Sequence, residues 1–149
     1  MEEKEEKMEE KIDEYQTQRD IMKEGDLLKS EGNANVKAEK FIEAIESYKA
    51  ALKVLEPKPF QLVKDKPLIH AYIDASNKIM NNLSLCYLKT KQYELCVHFS
   101  QQVLMNDPTN EKSLFRKAIA LDRLGKYEEA SAVINDMSRI YREKKFEIS

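Results

Sequence analysis

Apolar residues recur along most of this chain at three- and four-residue steps, the interval that lines one face of an α-helix. The pattern develops from Tyr15 through Ile21, Met22, Gly25, Leu27 and Leu28, then resumes from about Ala38 to Leu55 with Phe41, Ala44, Ile45, Tyr48, Ala51 and Leu52. The small Ala44 and Ala51 allow two helices to approach closely. Further on, two stretches repeat each other at a spacing of 34 residues: Asn82-Leu83-Ser84 through Tyr93, Cys96 and Val103 realigns with Arg116-Lys117-Ala118 through Tyr127, Ala130 and Met137. Phe41, Ala44 and Ala51 stand at the same offsets and complete a set of three. Such a period belongs to helix-turn-helix solenoids, whose hairpins cannot bury their apolar faces alone and stack into a curved array with a concave surface for another polypeptide. The expected fold is all-α, a helical solenoid of three units.

The units are expected at about 15–56, 67–108 and 109–145, with a charged helical extension or frayed tail over 1–14 and a short tail over 146–149. Aligning Gly25 with Ser84 leaves 59 residues between them, 25 beyond the period. Seven of these are assigned between the helices of unit one, around Ser30 to Val36, and the other 18 between units one and two. Pro57, Pro59 and Pro67 predict a loop over 57–66 and one long helix over 67–90, with Pro67 in the first turn, where its missing N–H costs nothing. Asn106-Asp107-Pro108 ends the helix that starts near Tyr93, since proline blocks continuation. Thr109 or Asn110 caps the next, and Gly125 makes the tight turn before the last. Val133, Ile134, Met137, Ile140 and Tyr141 leave an apolar flank on the last unit. Either that helix is polar enough outside, or the chain is part of something longer, or two copies pair there as a homodimer.

Composition agrees with helix and narrows the chemistry. The 149 residues suit one domain, with only three glycines, four prolines and no tryptophan. With 27 acids against 25 bases, the formal charge of −2 supplies no global field for nucleic acid or an anionic membrane. Cys86 and Cys96 are too few for a disulfide scaffold and lack metal-ligand spacing, so they read as buried free thiols. The absence of a signal peptide and of a long apolar run points to a soluble cytoplasmic or nucleo-cytoplasmic chain. His70 and His98 are lone histidines without a catalytic partner at motif spacing, and neither a phosphate-cradling glycine loop nor a metal cluster is visible, so no cofactor and no enzymatic activity are expected.

The segments NNLSLCYLKTKQY and NDPTNEKSLFRKAIALDRLGKYEEA resemble the tetratricopeptide-repeat domain of the large immunophilins, the peptidyl-prolyl isomerases that carry such a domain after their catalytic modules. The aryl-hydrocarbon-receptor-interacting family is similar, and the long first helix of unit two is a feature of both. The resemblance covers about residues 15–140 and includes no isomerase module. It implies a co-chaperone-like adaptor, because relatives use the groove as a carboxylate clamp on the C-terminal Glu-Glu-Val-Asp tail of the 90-kDa and 70-kDa heat-shock chaperones. That clamp draws a Lys and an Asn from the first helix of unit one, an Asn from unit two, and a Lys and an Arg from unit three. Asn82 falls on the second-unit position, and Lys112 and Arg116 on the third-unit pair, four residues apart on one helical face. Two cations and an amide suit a terminal carboxylate beside an acid, the Arg fork bonding bidentately. With Gly25 as the first-unit glycine, Met22 stands where the Lys belongs and Asp26 where the Asn belongs. Lys23 or Arg19 would then have to supply the cation, and the clamp is partial.

Simpler readings stand beside these. Lys112 and Arg116 also fit a solvated pair, Asn82 a buried amide, and Asp26 a local partner of Lys23, Lys29 or a groove cation, with recognition of a basic ligand as the sharper alternative. Phe41, Tyr48, Tyr87, Tyr93, Phe99, Phe115 and Tyr127 sit at packing offsets and read as core. Arg139, Arg142, Lys144 and Lys145 beside Ile140, Tyr141 and Phe146 form a basic amphipathic end that is mostly solvated helix. The rival function is a structural assembly module with a vestigial groove, which Met22 and Asp26 favour.

Overall fold

The computed structural model describes residues 1–56 and 66–148. Among them it has six α-helices: α1 (Glu2–Lys37), α2 (Phe41–Val54), α3 (Lys66–Lys89), α4 (Tyr93–Asn106), α5 (Glu111–Arg123) and α6 (Tyr127–Ile148). Consecutive helices pack on each other, and α1 also meets α3, and α3 meets α5. No such contact joins α2 to α4 or α4 to α6 among the described residues. The first helix of each pair therefore forms a close inner layer and the second a splayed outer one, which curves the array.

Each hairpin turns in the same way. Lys40, Gln92 and Lys126 donate their backbone N–H to the carbonyls of Asn35, Tyr87 and Leu121 over 2.8, 2.8 and 2.9 Å. The residue before each, Glu39, Lys91 and Gly125, has a positive φ of 58°, 61° and 77°. This left-handed residue is a common way to end a helix, and glycine adopts it without strain. Asn110 caps α5 by accepting the N–H of Ser113 at 3.0 Å, as its Asx chemistry predicts.

These turns set the true register and correct the expected one. Counting back equally from each turn makes Gly32, not Gly25, the counterpart of Ser84 and Ala118. The seven residues assigned as an insertion around Ser30 to Val36 are ordinary helix inside α1, which runs unbroken from Glu2. All of the excess over the 34-residue period lies between units one and two. The predicted loop falls on residues outside those described, except Lys66, which already belongs to α3. The expected extension over 1–14 is helical and continuous with α1, and the expected tail after 145 is helical to Ile148.

One buried cluster joins Ala44 and Tyr48 of α2, and Leu55 just past its end, to Ile79, Leu83 and Cys86 of α3, and a second joins Leu114 and Leu121 to Val133 and Ile140. Both cysteines are buried and free. Burial pushes the Cys86 thiol up to about 11 and Cys96 upward as well, so neither is a reactive thiolate. The expected aromatic core is correct in part. Tyr48 and Tyr87 are buried and Phe41, Tyr93 and Phe99 pack against the core, whereas Phe115 and Tyr127 are exposed on the last unit. Val133 and Ile140 of the expected open flank are buried, while Ile134 and Tyr141 are exposed.

Two glycines mark where α1 and α2 approach. A Cβ on Gly25 would lie 2.8 Å from a Leu55 methyl, and one on Gly32 would lie 2.5 Å from the Tyr48 ring. Leucine can rotate aside, but the Tyr48 ring is locked in the core. Gly32→Ala is therefore expected to cost about 1–3 kcal/mol by overpacking, more than Gly25→Ala, as measured by urea denaturation.

Candidate functional site

The inner layer brings α1, α3 and α5 side by side, and polar side chains cross both seams. Between α1 and α3, Asn82 Nδ2 donates to Asn33 Oδ1 at 3.2 Å, and Tyr48 OH donates to the same oxygen at 2.6 Å. Two donors saturate that oxygen and fix the Asn33 amide with its Nδ2 as the donating end. Burial pushes Tyr48 up to about 12, so its hydroxyl remains a proton donor throughout the physiological range. Between α3 and α5, Arg116 Nη1 donates to the Asn81 carbonyl at 2.6 Å, to Asn81 Oδ1 at 2.8 Å and to Ser84 Oγ at 3.3 Å. Ser113 Oγ adds a bond to Asn81 Oδ1 at 3.1 Å. These bonds use one of the three guanidinium nitrogens. Arg116 is half-buried, and desolvation lowers its pKa, with no consequence for its charge at neutral pH.

Lys112 stands one turn before Arg116 on α5 and is exposed. Arg116 is thus no ordinary solvated cation but a strut between helices, while Lys112 is free of that duty. Asn82 is half-buried and bonded across helices.

The corrected register reassigns the first unit. Three residues before Gly32 stands Lys29, and directly after it stands Asn33, which the structure places against Asn82. Met22, read as a lost clamp position, is a half-buried residue packed on the first core. Asp26, read as the other, is exposed and pairs with Lys29 at 4.0 Å. Arg19 and Lys23 are exposed and lie roughly 15 and 9 Å farther along the helix axis than Lys29, too remote to replace it. Sequence reasoning missed Lys29, Asn33 and Asn81. A usable signal was present for the first two, because the 12 residues from Gly32 to Ala44 equal those from Ser84 to Cys96 and from Ala118 to Ala130.

A polar cleft of about 640 Å³ opens beside this seam, lined by His70, Asp74, Lys78, Asn81 and Asn110 among others. No group of three potential metal ligands occurs among the described residues, and none of their helices is long and apolar enough to cross a membrane.

Residues 78–110 match the model of the tetratricopeptide repeat. The C-terminal repeat-containing domain of a putative FK506-binding protein of Plasmodium falciparum superposes with a TM-score of 0.70 at 24% identity, covering 86% of this chain and 93% of that one. The fold is that of a tetratricopeptide-repeat domain. A multi-domain immunophilin from Arabidopsis thaliana superposes at 0.68 and 25% identity over 77% of this chain and 44% of its own. In sequence, the repeat domain is 31% identical over 103 residues to protein unc-45 homolog B of Xenopus tropicalis, which is 69% of this chain and 10% of that protein. It is 26% identical over 124 residues to the peptidyl-prolyl cis-trans isomerase FKBP4 of Mus musculus, 83% of this chain and 26% of that protein. The chain thus spans between about a tenth and a quarter of these relatives. Tetratricopeptide repeats are a non-catalytic protein-interaction fold, and the expected likeness to immunophilin repeat domains is correct.

The two third-unit cations should separate in stability measurements. Arg116→Ala removes the charged bonds to Asn81 and Ser84 and is expected to cost about 1–3 kcal/mol, whereas Lys112→Ala stays within about 0.5 kcal/mol of the parent in the same denaturation assay.

Proposed function

We propose that this domain is a co-chaperone-like adaptor that grips the free C-terminus of an extended acidic peptide through Lys29, Asn33, Asn82, Lys112 and Arg116. The bond from Asn82 to Asn33 carries the reading, since it puts both amides at one seam of the inner layer. Three cations and two amides match a peptide that ends in an α-carboxylate next to an acidic side chain. The charge-assisted bonds are worth most where the groove is part-desolvated, as at Arg116. The C-terminal tail of a 90-kDa or 70-kDa heat-shock chaperone has this chemistry, and similarity to the repeat domains of unc-45 homolog B and FKBP4 supports such a partner. A reducing, cytoplasmic setting suits both the two buried thiols and that partner. The apparent loss of the clamp at Met22 and Asp26, which favoured a vestigial groove, disappears with the register correction.

A Glu-Glu-Val-Asp peptide should bind in calorimetry and its C-terminally amidated form should not. Lys29→Ala or Lys112→Ala should each weaken binding by about 1.5–3 kcal/mol, the worth of a charged hydrogen bond, without changing the fold. Equal affinity for the acid and amide peptides would refute the clamp. Asp26 faces Lys29 and draws on its charge, so Asp26→Asn should tighten binding by up to about 1 kcal/mol, and the gain should shrink in high salt.

A further inference from the structure

The face of α6 that looks away from unit two has no counterpart among the exposed surfaces of the earlier units. Ile134, Met137 and Tyr141 occupy the positions of Tyr48, Ala51 and Leu55 on and just past α2, which are buried with α3, and of Ser100, Val103 and Asp107 on and just past α4, which adjoins α5. Here Ile134 is 53% and Tyr141 69% exposed. With Phe115 and Tyr127, at 56% and 65%, they border a groove of about 990 Å³ between α5 and α6. In α4 and α5 the occupant of the corresponding seat is a helix reached by a four-residue connection, so it runs back along its neighbour. The seat on α6 is therefore shaped for an antiparallel helix.

The sequence of α6 supplies one. Reading outward from Ile134, Ser131 and Met137 stand three residues away on either side, and Tyr127 and Tyr141 stand seven away. The helical steps of three and four keep all five on a single face. An isologous contact requires each residue of one copy to meet its mirror position on the other. Two antiparallel α6 helices crossing at Ile134 satisfy that condition: Tyr127 meets Tyr141, Ser131 meets Met137, and Ile134 meets itself. Ser131, small and on this face beside the central isoleucine, permits close approach of the backbones.

We propose that a second copy of this chain covers this face, α6 against α6 about a two-fold axis through Ile134. Four exposed side chains per copy, each with on the order of 100 Å² to lose, bury on the order of 1,000 Å² in the pair with their flanks, the threshold of a specific interface. The rim is net basic, since Arg123 and Arg142 outnumber Asp122 along the groove and Lys126 of one copy lies across from Arg142 of the other. An apolar contact inside a basic rim tightens as salt screens the repulsion.

Sedimentation of the whole chain tests this, with the expectation of a dimer that strengthens with added salt and gives way to monomer in Ile134→Glu, which sets two carboxylates against each other on the axis. Ile134 is half-exposed, so circular dichroism should show the helices intact. Ile134→Cys should crosslink to itself on mild oxidation, as residues on the axis come within about 7 Å, whereas Arg139→Cys, on the opposite side of the helix, should not, and the buried Cys86 and Cys96 stay silent. Lys112→Ala should leave the dimer unchanged, which separates this contact from the peptide groove. A monomer at all concentrations would overturn the proposal and leave the face to a helix of another protein. So would a dimer indifferent to Ile134→Glu, or one that salt dissolves, the latter pointing to an acidic helix such as the start of α1 as the occupant.

Discussion

The missing Cβ of Gly32 is the constraint on which the rest of the molecule depends. Because nothing projects from α1 at that point, the Tyr48 ring lies against the helix backbone, and a Cβ there would sit within 2.5 Å of it. The ring's position delivers its hydroxyl to Asn33, one residue on, and Asn33 in turn receives Asn82 from the next unit. A packing contact within unit one thereby orients an amide at the seam between units one and two. Core and groove are built on the same few atoms, so neither can drift independently of the other.

The second seam is held by charge in place of shape. Arg116 spends one nitrogen on the backbone and side chain of Asn81 and on Ser84. A guanidinium suits this post because its planar fork can serve a neighbouring helix and still present other donors. A lysine offers one point charge and could not do both. The polar residues of the inner layer thus divide into those that join helices, Asn33, Asn82 and Arg116, and those that do not, Lys29 and Lys112. Curvature follows from the same asymmetry, since the inner helices meet across units while the outer ones are held apart.

The second helix of unit three differs from its counterparts in what covers it. Equivalent positions are buried on α2 and exposed on α6, and the chemistry has shifted only partly to suit. Met137 and Ile134 remain apolar, while Ser131 and Ser138 stand where α2 has Ile45 and Leu52. The result is a face with an apolar centre and small polar neighbours, closer to an interface than to either a core or a solvated surface.

Helix content, the hairpin period, the second members of all three pairs and the third-unit cations were legible in the sequence, because apolar periodicity and the proline and glycine stops are local properties of the chain. The first-unit register was not, for a definite physical reason. Gly25 and Gly32 are seven residues apart, two turns of helix, so they lie on nearly the same face and a slip between them leaves the apolar stripe intact. Periodicity specifies which face of α1 is buried but not how far along its axis the partner sits. That was decided by the turn at Glu39 and by the fit of Tyr48 over Gly32, contacts between residues 16 apart that no local pattern encodes. The slip moved the expected site from Lys29 and Asn33 to Met22 and Asp26. Likewise, the sequence by itself marked Arg116 as a cation one turn from Lys112 on α5, but only the packing of α5 on α3 brought it to Asn81, where burial and three hydrogen bonds turn a surface charge into a joint of the fold.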